Sequence, residues 1–147
     1  SYKSIGRWLL DQKAVRDASW PGIKNWLERN PSRVNELLWQ NPRVVFFKEE
    51  ALPVGEVPPG PKGSQGVPLT AERSIAVDRA SIPYGTPVWL KSTGPQTSLD
   101  RLVLAQDTGS AIVGAVRADY YAGSGFAAGE MAGRMKQGLQ LWALWPR

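Results

Sequence analysis

The chain has 147 residues, 42% of them hydrophobic and 21% charged, which suits one compact domain or a domain with a small appendage. It contains neither cysteine nor histidine. That excludes thiol nucleophiles, histidine-based triads and the usual zinc ligands, and leaves acid–base chemistry to carboxylates. The formal charge of +5 fits an acidic polymer as partner, but no run of Lys or Arg and no nucleic-acid motif accompanies it, so nucleic acid is not expected.

In chain order, the first 43 residues read as short helices. Over residues 4–12, Ile5, Trp8 and Leu9 fall at i, i+3 and i+4, an amphipathic stripe. Ser19 is the expected N-cap of a second helix, with Pro21 in its first turn and Ile23, Trp26 and Leu27 on one face. Asn30-Pro31 opens a third helix carrying Val34, Leu37 and Leu38, and Asn41-Pro42 stops it. Residues 44–47 are β-branched and aromatic and read as a strand. Residues 52–66 hold eight Pro or Gly among fifteen, which rules out a regular helix or central strand and marks a linker or loop.

Beyond the linker the pattern changes to short strands, expected at 67–69, 74–77, 87–90, 102–106, 115–117 and 141–145. A helix is expected at 127–137, with Gly138 ending it. Short strands with one inserted helix favour a small closed barrel, because closure removes exposed edges. Seven tryptophans stand out, since indole faces stack on sugars; of these Trp8, Trp26 and Trp39 sit at helical apolar positions and are expected in the core. No apolar run approaches the roughly 20 residues that cross a bilayer, so no transmembrane segment is expected.

Three aspartates follow apolar strands: Asp78, Asp107 and Asp119. A strand end combines scaffold rigidity with solvent access, which suits chemistry, although an aspartate there equally well starts a turn. The segments around them are ordered. Gly66-Val67-Pro68-Leu69-Thr70, Arg73-Ser74-Ile75-Ala76-Val77-Asp78 and Ile82-Pro83-Tyr84-Gly85-Thr86-Pro87-Val88-Trp89 come first. Leu104-Ala105-Gln106-Asp107-Thr108-Gly109, Arg117-Ala118-Asp119-Tyr120 and Gly129-Glu130-Met131-Ala132-Gly133-Arg134-Met135 follow. This series resembles the three-Asp domain of bacterial wall-lytic proteins. The helical start, from Ser4-Ile5-Gly6-Arg7 to Asn41-Pro42, is similar to the stretch that precedes that domain in the membrane-bound lytic murein transglycosylase A family.

The resemblance implies a mainly β fold with some α: a double-psi β-barrel preceded by a short helical segment, with part of the full fold missing. On that reading residues 1–48 are the helical segment, 49–66 the Pro/Gly-rich linker and 67–147 the barrel domain. It implies cleavage of the β-1,4 bond between N-acetylmuramic acid and N-acetylglucosamine in peptidoglycan, with formation of a 1,6-anhydro ring and no cofactor or metal. Asp107 matches the catalytic position. It would act alone as acid and then base, which requires a pKa well above about 3.9, and apolar Leu104, Ala105 and Ile112 would push it up. Asp78 and Asp119 are expected to support it, and Thr108, Gly109, Tyr84 and Tyr120 to contact the sugar.

The implied partners are glycan strands and an amino-terminal segment that completes the barrel and the groove. The implied location is periplasmic, attached to the outer membrane. Two rival readings stand beside this one. One is a non-catalytic peptidoglycan-binding barrel; the other is a dimeric aspartic protease built on Asp107-Thr108-Gly109, whose chemistry needs two such tripeptides.

Overall fold

The computed structural model describes residues 3–44, 46, 49, 60–95 and 97–146. The chain forms two compact units, Ser1–Glu50 and Ala51–Arg147. Most of the expected linker, residues 51–59, lies outside the described residues, as do Val45 and Phe47 of the strand expected at 44–47; its described members, Val44 and Phe46, belong to no strand.

The first unit is helical. Helix α1 (Ile5–Asp11) starts where the Ser4 hydroxyl accepts the Arg7 N–H. Helix α2 (Trp20–Arg29) starts at Ser19, whose hydroxyl accepts the Gly22 N–H, with Pro21 in the first turn where its missing N–H costs nothing. A 3₁₀ turn (Pro31–Arg33) leads into α3 (Val34–Leu38). Leu9, Ile23, Trp26 and Leu37 form the core of this unit, with Trp8 packed against it. Trp39 does not join them: it is 77% exposed, because α3 ends at Leu38 and Trp39 lies two residues beyond the buried Leu37, nearly opposite it on the helical wheel. Ser19→Ala is expected to cost about 1 kcal/mol, read as a lower urea midpoint for loss of helical circular dichroism.

The second unit is a mixed five-stranded sheet, β1 (Ser74–Val77), β2 (Pro87–Thr93), β3 (Ser98–Asp107), β4 (Ala118–Tyr120) and β5 (Leu139–Ala143), with helix α4 (Phe126–Arg134) before the last strand. The strand order is β4-β1-β3-β2-β5, with β1 and β3 parallel and the other pairs antiparallel. Among the described residues the end strands β4 and β5 do not pair, so the sheet is a half-barrel rather than a closed one. Its concave side is lined by Ile75, Val77, Ile82, Val88, Leu90, Leu99, Val103 and Ala105. Strands β2 and β3 alternate buried with exposed residues over most of their length, as a sheet with one covered face must. Burial of each of these side chains other than Ala105 contributes roughly 1.5–3 kcal/mol.

Four expected elements are displaced, among them the last strand, expected at 141–145 and found at Leu139–Ala143, where it pairs with β2. Residues 67–69 form only an isolated bridge, Lys62 to Pro68, since Pro68 has no N–H and the Leu69 N–H goes to the Pro61 carbonyl. The strand expected at 115–117 is a turn; Gly114 has φ +107° and donates its N–H to Asp78, and pairing with β1 begins only at Ala118. Helix α4 ends at Arg134, short of Gln137, because Met135 turns extended to pack on the core. The Gln137 amide reaches the Ser92 hydroxyl and the Thr97 carbonyl. Among the described residues no helix is long and apolar enough to cross a membrane.

Candidate active site

Strand β1 organises the three aspartates. Ala76 pairs with Asp107 of β3 on one side and with Asp119 of β4 on the other. The two acidic residues are therefore two strand spacings apart, roughly 10 Å between Cα atoms. A register irregularity between Ile75 and Ala76 lets the last residue of β3 fall into this row. Asp78 follows β1 immediately.

Asp107 is held from outside the sheet. The loop carrying Gly63, Ser64 and Gln65 lies against the end of β3, and the Gln65 N–H donates to the Gln106 carbonyl at 3.2 Å. The approach is so close that a Cβ on Gly63 would stand 2.5 Å from that same carbonyl oxygen. This brings Ser64 onto the carboxylate: its N–H and its hydroxyl both donate to Asp107 Oδ1, at 2.8 and 2.6 Å. Partial burial pushes the Asp107 pKa up, as the sequence led us to expect. The two Ser64 donors and the Thr108 N–H outweigh it, however, and hold the carboxyl below the usual aspartate value. The expectation of a raised pKa is thus corrected for this chain. The neighbouring carboxylates of Asp78 and Asp119 contribute nothing to the shift.

Asp78 serves as a clasp. Its two oxygens accept the Gly114 N–H at 2.8 Å and the Ala80 N–H at 3.0 Å, which lowers its pKa and ties the turn before β4 to the end of β1. Asp119 is different. Its only hydrogen bond among the described residues comes from Arg117 Nε, 3.2 Å from Oδ1, and its side chain remains 56% exposed. It stands on the rim of a cleft of about 480 Å³ whose walls include Leu90, Leu99 and Met135, with Arg117 and Lys136 beside it. The cleft thus combines an apolar floor with a carboxylate and two cations, the usual composition of a ligand site.

The other predicted contacts divide. Thr108 donates its hydroxyl to the Val77 carbonyl at 2.7 Å and so secures β1 to the turn after β3. Gly109 accepts the Ile112 N–H within that turn. Tyr120 lines the Asp119 cleft, but its hydroxyl meets Arg101 at 3.2 Å and the Glu72 carbonyl at 3.3 Å, and burial raises its pKa. Tyr84 lies elsewhere, in a groove with Pro83, Pro87, Leu144 and Trp145, and Arg79 stacks over its ring at 5.5 Å. The structure therefore brings Asp107 and Asp119 into one row, and leaves Tyr84 apart from the cleft.

Sequence reasoning missed Ser64, Arg117 and Lys136. Ser64 falls in the stretch read as linker, and its pairing with a residue 43 positions away leaves no local signal. Arg117 was read as part of a strand; only the displaced start of β4 puts it on the cleft.

Comparison with known proteins agrees with this architecture. The 3D domain family matches residues 73–145, and the MltA specific insert domain matches residues 1–48. The chain is 38% identical to membrane-bound lytic murein transglycosylase A of Escherichia coli (strain K12), over 98% of this chain and 40% of that protein. Among solved structures, MltA from Neisseria gonorrhoeae superposes with a TM-score of 0.87 at 42% identity, covering 99% of this chain and 37% of that one. E. coli MltA with bound chitohexaose superposes with a TM-score of 0.82 at 33% identity, covering 97% and 44%. The chain spans about 40% of the length of the curated relatives it matches. With an insert domain, a 3D domain and a half-barrel all of one kind, the chain belongs to the membrane-bound lytic murein transglycosylase A family.

Proposed function

We propose that the full-length protein containing this chain cleaves peptidoglycan as a lytic transglycosylase, and that Asp119 rather than Asp107 delivers the proton. The observation that supports this division is the contrast in their partners. Two donors of Ser64 favour the charged form of Asp107, whereas Asp119 faces an open cleft and accepts one hydrogen bond. Asp107 is already engaged by the fold, whereas Asp119 is open to a substrate oxygen in the cleft, and that difference suits separate roles.

In the proposed reaction, the Asp119 carboxyl protonates the glycosidic oxygen of N-acetylglucosamine as the bond to C1 of N-acetylmuramic acid breaks. The muramyl C6 hydroxyl attacks C1 and closes the 1,6-anhydro ring. Its proton passes to the Asp119 carboxylate, which restores the acid without water. Asp107, ionised, stabilises the positive charge that develops at C1. Asp78 and Thr108 hold the turns that carry these groups, and Gly109 keeps the turn compact. Tyr120 lines the cleft, and Tyr84 with Trp145 offers stacking faces to a more distant sugar. No metal or other cofactor enters this scheme.

The substrate reading has support from relatives: one is described with chitohexaose bound, a chain of N-acetylglucosamine units. Family membership also removes the Asp-Thr-Gly protease reading. The layout in this reading is a helical segment at 1–48, a linker at 49–66 and a barrel domain at 67–147; family matches over residues 1–48 and 73–145 support its two ends. The partners are glycan strands and the segment that the longer relatives carry in addition. Relatives named membrane-bound support attachment to a membrane, and periplasmic placement at the outer membrane belongs to the same proposal.

The test is incubation of the full-length protein with purified peptidoglycan and mass spectrometry of the released muropeptides. Products ending in 1,6-anhydromuramic acid are expected. Reducing-end products would mean hydrolysis, with water taking the place of the C6 hydroxyl. Binding without release would leave a non-catalytic wall-binding module.

A further inference from the structure

We propose that Ser64 is a positioning residue for Asp107, fixing the orientation of its carboxylate from the loop that closes over the end of β3. This inference rests on the reading of Asp107 as the ionised carboxylate of the reaction.

Three features of the structure carry it. Both hydrogen-bond donors of Ser64 converge on one oxygen, Asp107 Oδ1, at 2.8 Å for the N–H and 2.6 Å for the hydroxyl. Such paired donation to a charged acceptor defines a direction as well as a distance. The loop is itself braced for this purpose. The Gly63 N–H donates to the Val67 carbonyl, the Gly66 N–H to the Gly63 carbonyl, and the Gln65 N–H to the Gln106 carbonyl beside the aspartate. Finally, position 63 has no room for a side chain: a Cβ there would stand 2.5 Å from the Gln106 carbonyl oxygen, 2.7 Å from Leu69 Cδ2 and 3.3 Å from Asp107 Cβ. Gly63 therefore permits the approach and Ser64 makes use of it.

The rest of the surroundings gives the carboxylate one backbone donor and no ion-pair partner among the described residues. The Thr108 N–H is its third donor, and Ala76 of β1 is its strand partner. Lys62 of the loop and Asp78 beyond β1 are charged residues of the elements packed here. Neither forms a hydrogen bond or ion pair with Asp107 among the described residues. Ser64 is thus the one side chain that donates to it among those residues. Without the hydroxyl the carboxylate keeps one loop donor and gains rotational freedom about its last bond. Its charged form is then less favoured, so a rate that needs Asp107 ionised must lose its acidic limb at higher pH.

The experiment uses the full-length protein with Ser64→Ala, which keeps the N–H and removes the hydroxyl, and Ser64→Thr, which keeps both. Carboxyl-carbon NMR of Asp107 against pH is measured alongside the pH dependence of anhydromuropeptide release. For Ser64→Ala the Asp107 titration should move upward, the acidic limb of the rate should move the same way, and kcat should fall about tenfold with KM little changed. Ser64→Thr should restore all three. An Asp107 titration that does not respond to loss of the hydroxyl would overturn the proposal, and so would a Thr variant as impaired as the Ala variant. If the titration responds while the unaltered protein releases no anhydro products, Ser64 still positions Asp107 and it is the transglycosylase reading that fails.

Discussion

Asp119→Asn in the full-length protein is expected to lower release of 1,6-anhydromuropeptides by about 10³-fold, within the range that loss of a general acid–base residue commonly produces. Asparagine preserves the shape of the side chain and its place on the cleft rim, but it has no proton to give the leaving oxygen and no carboxylate to receive one from the C6 hydroxyl. Binding should survive, because Leu90, Leu99, Met135 and Lys136 still line the cleft, so KM should change little while kcat collapses. Asp107→Asn is expected to act differently. It removes a charge that stabilises the transition state but leaves the proton donor, so release should fall by about 10²-fold, and the acidic limb of the pH profile should change shape. Both rates come from one mass-spectrometric assay. If Asp107→Asn abolishes release while Asp119→Asn retains it, the donor is Asp107, as the sequence resemblance implies. The substrate would then have to displace Ser64 from the carboxylate before reaction. Reversal of the order is therefore as informative as its agreement.

The elements that carry the site were legible to different degrees, for physical reasons. Strand β1 was readable to the residue, because Ser-Ile-Ala-Val is a β-prone run bounded by a polar turn on each side. Strands β2 and β3 were found but read short. Their outer halves, such as Lys91-Ser92-Thr93 and Ser98-Leu99-Asp100, alternate polar with apolar residues so weakly that only pairing with each other defines them. Strand β4 has three residues and no periodicity of its own; its position is set by β1, across which Ala76 meets Asp119. Asp78 and Asp107 were visible because one follows β1 and the other ends β3, whereas Asp119 lies in the middle of β4 rather than after a strand as expected. The charge states of Asp107 and Asp78 were not visible, since those depend on donors from distant segments: Ser64 for Asp107 and Gly114 for Asp78. A serine between a glycine and a glutamine in a Pro/Gly-rich stretch looks like any other turn residue. Its function appears only when the chain has folded it against the end of β3.

Ile75→Ala is expected to cost about 2–5 kcal/mol, the usual consequence of removing a large aliphatic side chain from a packed core. Ile75 is 1% exposed and lies on β1, between β4 and β3, paired to Ala105 on one side and Tyr120 on the other. The cavity left behind would open within the buried cluster that includes Val77, Val103 and Ala105, whose backbones are fixed by strand pairing. Two companions give the comparison its meaning. Ile75→Val deletes a single methylene and should cost about 0.5–1.5 kcal/mol. Lys91→Ala, on the exposed face of β2, should change stability by no more than about 0.5 kcal/mol. Urea unfolding of the three variants, followed by circular dichroism and tryptophan emission, checks the order. The effect should reach the site as well, because Ala76 holds Asp107 and Asp119 in one row and depends on Ile75 for its register. A variant that remains folded at low urea should therefore lose catalytic rate while still binding glycan. Equal, small costs for all three substitutions would mean that β1 is not the strand on which the half-barrel is built.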